Sequence, residues 1–331
     1  MTSSPLPPPH LRRIKAAAAV ATLVTAAALS ASVPAVADGG STSPGSGTGN
    51  AGGKPTIVLV HGAYVDASSW NGVVGRLQSE GYRVIAPANP LRGLPTDSAY
   101  IASVLRSVKG PIVLVGHSYA GAVITEAAAG NPQVKSLVYV AAFMPDKGET
   151  LGQLAAKFPG SELNPALVQV PFTNADGSTG TDLYVSPDKF RAVAAADLPQ
   201  TATSVAAAAQ RPIAATAFTD KATSAAWRTI PSWAAVATND KAIAPDLERF
   251  EAKRAGSHTV EINASHSVMI SHPDAITDLI RDAAGAHAPS PALADTGLTT
   301  LGLVGAAAAG GMVVTGVGLI VVSRKRSPRT R

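Results

Sequence analysis

Short apolar runs rich in valine and isoleucine recur along this chain, and each is followed by residues with helical periodicity. TIVLV (56–60), YRVIA (82–86), IVLVG (112–116), SLVYVAA (136–142), SWAAVAT (232–238) and HTVEI (258–262) read as strands. Residues 68–80, 97–108, the stretch after Ser118, 245–255 and 273–284 read as helices. Continuously apolar strands must be covered on both faces, and a helix between two strands lets them run in the same direction. The pattern predicts an α/β fold over 55–285, a mostly parallel sheet of about six strands with helices on both faces. The rhythm stops between 146 and 221, where a hairpin around Asp176 and Gly177 precedes alanine-rich helical stretches and several prolines. An insertion late in such a sheet is placed to form a lid over a site.

Both ends differ in composition from this domain. Arg12, Arg13 and Lys15 precede a mostly apolar stretch at 16–29 and small residues at Ala35 and Ala37, the pattern of a signal peptide over 1–37 cut after Ala37. The apolar stretch is short for a membrane-spanning helix. Residues 38–54 form a Gly/Ser-rich linker with nothing to bury. A second linker over 286–297 ends in LADTG; an apolar segment long enough to cross a bilayer follows at 298–322, then a basic tail at 323–331. This order resembles the cell-wall sorting signal of Gram-positive surface proteins, with alanine at the second position of the motif. The resemblance implies that a sortase-type transpeptidase cuts between Thr296 and Gly297 and joins Thr296 to peptidoglycan. A permanent C-terminal membrane anchor is the alternative. The expected location is therefore the outer face of the cell, reached with signal peptidase and the transpeptidase as processing partners.

Of the 27 basic residues, eight lie in these two ends; the remaining 19 face 22 acidic ones. The formal charge of +5 does not describe a basic domain surface, and a nucleic-acid partner loses its support. There is no cysteine, so an exported domain of this chain rests on core burial rather than disulfides.

Ser118 stands in GHSYA, where an apolar strand turns straight into a helix with small residues two positions to either side. That is the arrangement of a nucleophile elbow, with Ala120 in place of the second glycine and Gly121 next. A serine at a helix start is otherwise an ordinary N-cap, so the assignment depends on partners elsewhere. The turn leaves the N–H of Tyr119 at the start of a helix, where negative charge is favoured. The first strand ends in His61-Gly62, which makes the N–H of Ala63 the candidate second donor of an oxyanion hole.

A nucleophilic serine needs a histidine base. Of seven histidines, His10 lies in the signal, His287 in the tail linker, His61 and His117 in the two motifs just described, and His258 at the far end of a strand. His266 falls just beyond the C-terminal end of the last strand and is preferred; His272, before Pro273 at a helix start, is the runner-up. The acid belongs between serine and histidine, after a strand, where Asp240 is preferred and Asp246 is second.

VHGAYVDASSW, LVGHSYAGAVI, VYVAAFMPDKGET, PSWAAVATNDKAI and ASHSVMISHPD together resemble the α/β-hydrolases, in particular a small branch with plant methyl-ester hydrolases, bacterial relatives and hydroxynitrile lyases. The resemblance covers most of the domain and implies a Ser118–His266–Asp240 triad that cleaves small to medium carboxylic esters with no metal or cofactor. In the lyases of this branch a lysine follows the catalytic histidine and a threonine stands beside the oxyanion histidine; here those positions hold Ser267 and Gly62. Perhydrolase or non-haem haloperoxidase-type chemistry uses the same triad, and a catalytically inactive binding module is the alternative from another class. Phe143, Met144, Phe158, Phe172, Phe190 and Trp227 are the large apolar residues in or near the insertion from which a pocket or hinge could be built.

Overall fold

The computed structural model describes residues 53–285. The expected signal, all but the last two residues of the first linker, the sorting motif with Thr296 and Gly297, the apolar segment and the basic tail lie outside the described residues. Among the described residues no helix is long and apolar enough to cross a membrane.

The strands in chain order are β1 (Thr56–Val60), β2 (Val84–Ile85), β3 (Ile112–His117), β4 (Val134–Val140), β5 (Leu167–Thr173), β6 (Thr179–Val185), β7 (Ile213–Ala214), β8 (Ser232–Ala237) and β9 (His258–Ile262). The α-helices are α1 (Asn71–Ser79), α2 (Leu94–Ser107), α3 (Ala120–Ala127), α4 (Leu151–Lys157), α5 (Pro187–Ala194), α6 (Gln200–Ala209), α7 (Pro245–Ala255), α8 (Val268–Ser271) and α9 (Pro273–Gly285). Six strands form one sheet in the order β2-β1-β3-β4-β8-β9, with every neighbouring pair parallel. This is the architecture the apolar runs predict.

Side chains alternate across a strand, so the unbroken apolar runs feed two cores at once. Ile57, Leu59, Val113, Val115, Val138 and Val140 pack with Val73 and Leu77 of α1 and Ile276, Leu279 and Ile280 of α9. Val58, Val60, Ile112, Leu114 and Tyr139 meet the opposite layer, with Ile101 and Leu105 of α2, Val123 and Ile124 of α3, and Leu247 of α7. β1 and β3 are buried along their whole length, which is why their sequences lack polar alternation.

Boundaries differ from the sequence reading where local backbone chemistry decides them. The helix expected from 68 starts as a 3-10 turn at Ala67–Trp70, because Asp66 accepts the N–H of Ser68 and caps it. The helix expected from 97 starts at Leu94, with Pro95 in its first turn. YRVIA contributes only two paired residues because it lies at the sheet edge and is half-buried. The strand expected over 136–142 starts at Val134 and stops at Val140, since Ala141 turns to φ +44°.

Between β4 and β8 the chain leaves the sheet. β5 and β6 form the hairpin expected around Asp176 and Gly177: Gly177 has φ +83° and the Asp176 carboxylate accepts the Ser178 N–H at 2.9 Å. β7 joins β6 to complete a separate three-stranded antiparallel sheet, and α5 and α6 follow the hairpin. Leu163, Val185, Phe190 and Phe218 of this insertion lie over the C-terminal edge of the parallel sheet, the edge at which open α/β sheets place ligands.

Candidate active site

β3 delivers Ser118 at φ +56°, a left-handed backbone that only a surrounding structure can hold on a serine. Three hydrogen bonds do so: Ser118 N–H donates to the Val140 carbonyl at 3.2 Å, and its own carbonyl accepts from Gly121 N–H at 3.0 Å and Phe143 N–H at 3.2 Å. The turn is so tight that a Cβ on Gly116 would stand 2.6 Å from the Ala120 carbonyl oxygen. Glycine at 116 is therefore a packing requirement, as it is at Gly121, where a Cβ would stand 2.2 Å from the Phe143 carbonyl oxygen; Ala120 occupies the place of the second glycine.

His266 lies in the loop after β9 and Asp240 in the turn after β8, both buried. His266 Nε2 is 2.9 Å from Ser118 Oγ, and His266 Nδ1 is 2.5 Å from Asp240 Oδ2. The other Asp240 oxygen accepts the N–H groups of Ala242 at 2.6 Å and Ile243 at 2.9 Å. That carboxylate, with no side-chain exposure, is held by two backbone donors and the imidazole, and the backbone N–H of Asp240 donates to the Ala237 carbonyl at 3.1 Å. With the carboxylate accepting Nδ1–H, Nε2 of a neutral His266 is left bare toward the serine proton.

The structure separates these residues from the alternatives. Asp246 is an exposed partner of Arg249 in the first turn of α7. His272 hydrogen-bonds Ser271, and its carbonyl accepts the Ile276 N–H at the start of α9. His258 stacks on Trp233 with ring centroids 4.9 Å apart.

The N–H groups of Ala63 and Tyr119 donate to no protein acceptor among the described residues, and both residues line one cavity with Ser118. His61 fixes the backbone around the first. Its Nε2 accepts the Asn89 N–H at 2.9 Å, so its proton sits on Nδ1, which donates to the Gly62 carbonyl at 2.9 Å. Burial lowers the His61 pKa and keeps the ring neutral.

Several supporting residues carry no signal in the sequence because they act from distant segments. His117 Nε2–H donates to the His266 carbonyl at 3.0 Å, with the two rings 4.7 Å apart. Burial, then the neighbouring His266, holds the His117 pKa well below the usual value, so it remains a neutral strut. Asp197 of the insertion accepts the N–H and hydroxyl of Ser265, and the Ala194 carbonyl accepts the Ser267 N–H at 2.9 Å. The loop that carries His266 is thus clamped on both sides. Tyr119 donates its hydroxyl to buried Asp97 at 2.7 Å, which ties α2 to the residue after the serine.

The cavity beside Ser118 is narrow and largely enclosed, and is lined chiefly by Phe143, Leu163, Val185, Phe190, Phe218 and Ile243. Phe143 and Phe190 are thus the members of the expected aromatic set that reach it. The others serve elsewhere: Phe158 packs on Phe250, Phe172 covers Gly180 and Arg92, and Trp227 donates to the Pro145 carbonyl beneath Arg228 and Arg254. Met144 is buried in the core beside this cavity without lining it. Among the described residues no cluster of metal-ligating side chains is present.

Residues 57–279 match the sequence model of the alpha/beta hydrolase family. The chain belongs to the α/β-hydrolase family. Within it, the alpha/beta hydrolase nvfD of Aspergillus novofumigatus is 28% identical over 257 residues, which span 70% of this chain and 97% of that protein. A carbendazim hydrolyzing esterase of a Nocardioides species is 34% identical over 114 residues, 30% of this chain and 47% of that protein. Among solved structures, polyneuridine aldehyde esterase superposes with a TM-score of 0.61 at 20% identity, covering 70% of this chain and 99% of that one, a likeness of fold. In this α/β-hydrolase the insertion between β4 and β8 stands over the serine, as described above.

Proposed function

We propose that this α/β-hydrolase is a serine esterase that cleaves small to medium apolar carboxylic esters through an acyl-enzyme. The observation that carries the reading is the continuous hydrogen-bonded line from Ser118 Oγ through His266 to Asp240, at 2.9 and 2.5 Å, opening on an enclosed apolar cavity. Ser118 Oγ attacks the ester carbonyl while His266 Nε2 takes its proton; Asp240 holds the imidazole in the required tautomer and stabilises the imidazolium. The carbonyl oxygen becomes an oxyanion beside the two uncommitted N–H groups of Ala63 and Tyr119, each such donor being worth about 2.7–4 kcal/mol in the transition state. The imidazolium then protonates the leaving alcohol, and a water activated by the same nitrogen releases the acid.

Gly62 favours ester hydrolysis over hydroxynitrile cleavage. A Cβ at this position would meet the His117 carbonyl oxygen at 2.8 Å and Ser118 Cβ at 2.8 Å, so the threonine of the lyases has no room in this backbone. Ser267, buried and lining the cavity, stands where those lyases carry lysine. The expected result is turnover of short-chain nitrophenyl esters, falling as the acyl chain outgrows the cavity, with no cyanide released from mandelonitrile. Cyanide release without ester turnover contradicts the assignment.

We further propose export and wall attachment, supported by the order of the signal at 1–37, LADTG, apolar segment and basic tail. Enzymatic digestion of the wall is expected to free a protein that begins at Asp38 and ends at Thr296; a chain recovered from membranes with its tail intact points to a permanent anchor instead.

A further inference from the structure

Glu248 lies on α7, 3% exposed, and no cation among the described residues is ion-paired with it. One of its oxygens, Oε2, accepts the N–H of Ala237 at 3.1 Å. Ala237 is the last residue of β8, and its carbonyl accepts the N–H of Asp240. A single residue, Ala237, therefore joins Glu248 to the acid of the site. The other oxygen, Oε1, is fully buried and has no hydrogen-bond partner among the described residues, and Asp240 is the neighbouring carboxylate that acts on this group. Two buried carboxylates this close do not both ionise. Burial foremost, then Asp240, raises the proton affinity of Glu248 well above the carboxylate range, and Glu251 one turn further along α7 adds to it. Asp240, with two backbone donors and the imidazole, is the member equipped to carry the charge.

Resting on the esterase reading above, we propose that Glu248 is a positioning residue for this reaction: it clamps the end of β8 and gives its carboxyl proton to Asp240 as a hydrogen bond. The consequence is a ranking of basicity along the line. A neutral donor behind Asp240 disperses its charge, which fixes the carboxylate toward His266 and moderates how strongly it favours the imidazolium. The groups that bear on this line are Asp240 after β8, His266 after β9 with His117 of β3 beside it, and Glu251 on α7. Glu251 is itself buried, pushed up to about 8 chiefly by desolvation, accepts the Met144 N–H, and is flanked by Arg254, Glu149 and Lys157.

The test uses the full-length protein, its Glu248→Leu and Glu248→Gln variants, and kcat/KM for a short nitrophenyl ester across pH. Glu248→Leu removes both the clamp and the donor; kcat is expected to fall about 10–100-fold with KM within about 3-fold, and the acid limb of the profile to move to higher pH by about half to one unit. Glu248→Gln keeps an oxygen for Ala237 N–H and an amide N–H for Asp240, so it is expected to recover kcat to within about 3-fold and return the limb to its place. A Glu248→Leu enzyme with kcat and limb unchanged overturns the proposal. So does a limb that moves to lower pH in either variant, because that is the effect of removing an ionised carboxylate. If Glu248→Leu does not fold, infrared difference spectra at neutral pH decide: a protonated-carboxyl band present in the parent and lost in Glu248→Gln is expected, and its absence from the parent overturns the proposal. Labelling with a fluorophosphonate separates the two levels. An unlabelled parent defeats the esterase reading, whereas a labelled parent with indifferent Glu248 variants defeats this inference alone.

Discussion

Replacing Ser118 by alanine is expected to lower kcat for a short-chain nitrophenyl ester by about 10⁴-fold or more while the fold is kept. Among the described residues the hydroxyl is the sole side-chain group placed both within 2.9 Å of His266 Nε2 and next to the free N–H groups of Ala63 and Tyr119, so its removal leaves a base with no nucleophile to activate except water. What survives is the contribution of the cavity and the N–H pair. Stability should change little. Alanine inherits the same φ of +56°, the three backbone hydrogen bonds of the turn do not involve the side chain, and the lost hydroxyl contact is worth about 1 kcal/mol, or roughly 2–4 °C in Tm for a domain of this size. Circular dichroism and a melting curve beside the kinetics check both halves. Turnover within tenfold of the parent would mean that another group is the nucleophile.

Asp240→Asn should be nearly as damaging, for a different reason. The carboxylate uses one oxygen for the N–H groups of Ala242 and Ile243 and the other for His266 Nδ1. Asparagine has one acceptor oxygen. If it stays with the two backbone donors, the amide N–H points at Nδ1, which must then be bare, and the imidazole proton moves to Nε2. His266 would face Ser118 with a donor where the reaction needs an acceptor. A fall in kcat of about 10⁴-fold with KM little changed is expected at neutral pH. Retention of more than a tenth of the parent kcat would show that Asp240 does not set the tautomer.

The fold was legible where burial is strongest. Unbroken apolar runs such as TIVLV and IVLVG are written into the sequence because both faces of β1 and β3 meet helices, and the helices between them follow from the same pattern. Ser118 could be singled out because the elbow needs small residues at fixed offsets, and His266 and Asp240 because each follows a strand at the same sheet edge. Edge strand β2, half-buried and paired over two residues, leaves a weaker trace. The supports of the site left none. His117, Asp97, Asp197 and Glu248 act across 149, 22, 68 and 11 residues of chain respectively, on carbonyls, hydroxyls and N–H groups whose position only the folded backbone defines. Nor could an aromatic residue be sorted into cavity or core by type: Phe143 and Phe190 face the serine while Phe158 and Trp227 do not. Phe218, which does line the cavity, stands in an alanine-rich stretch with no periodicity to single it out.

The central claim is that the ester's acyl group passes through a covalent bond to Ser118 Oγ. Rapid acid quench of the enzyme during turnover of a slowly deacylated nitrophenyl ester, followed by intact-mass and peptide mass spectrometry, tests it without reliance on any variant. The account predicts a mass increase equal to one acyl group, located on the peptide that contains GHSYA and borne by Ser118. Hydrolysis at full rate with no acyl adduct at any time point, or an adduct on another residue, would contradict it.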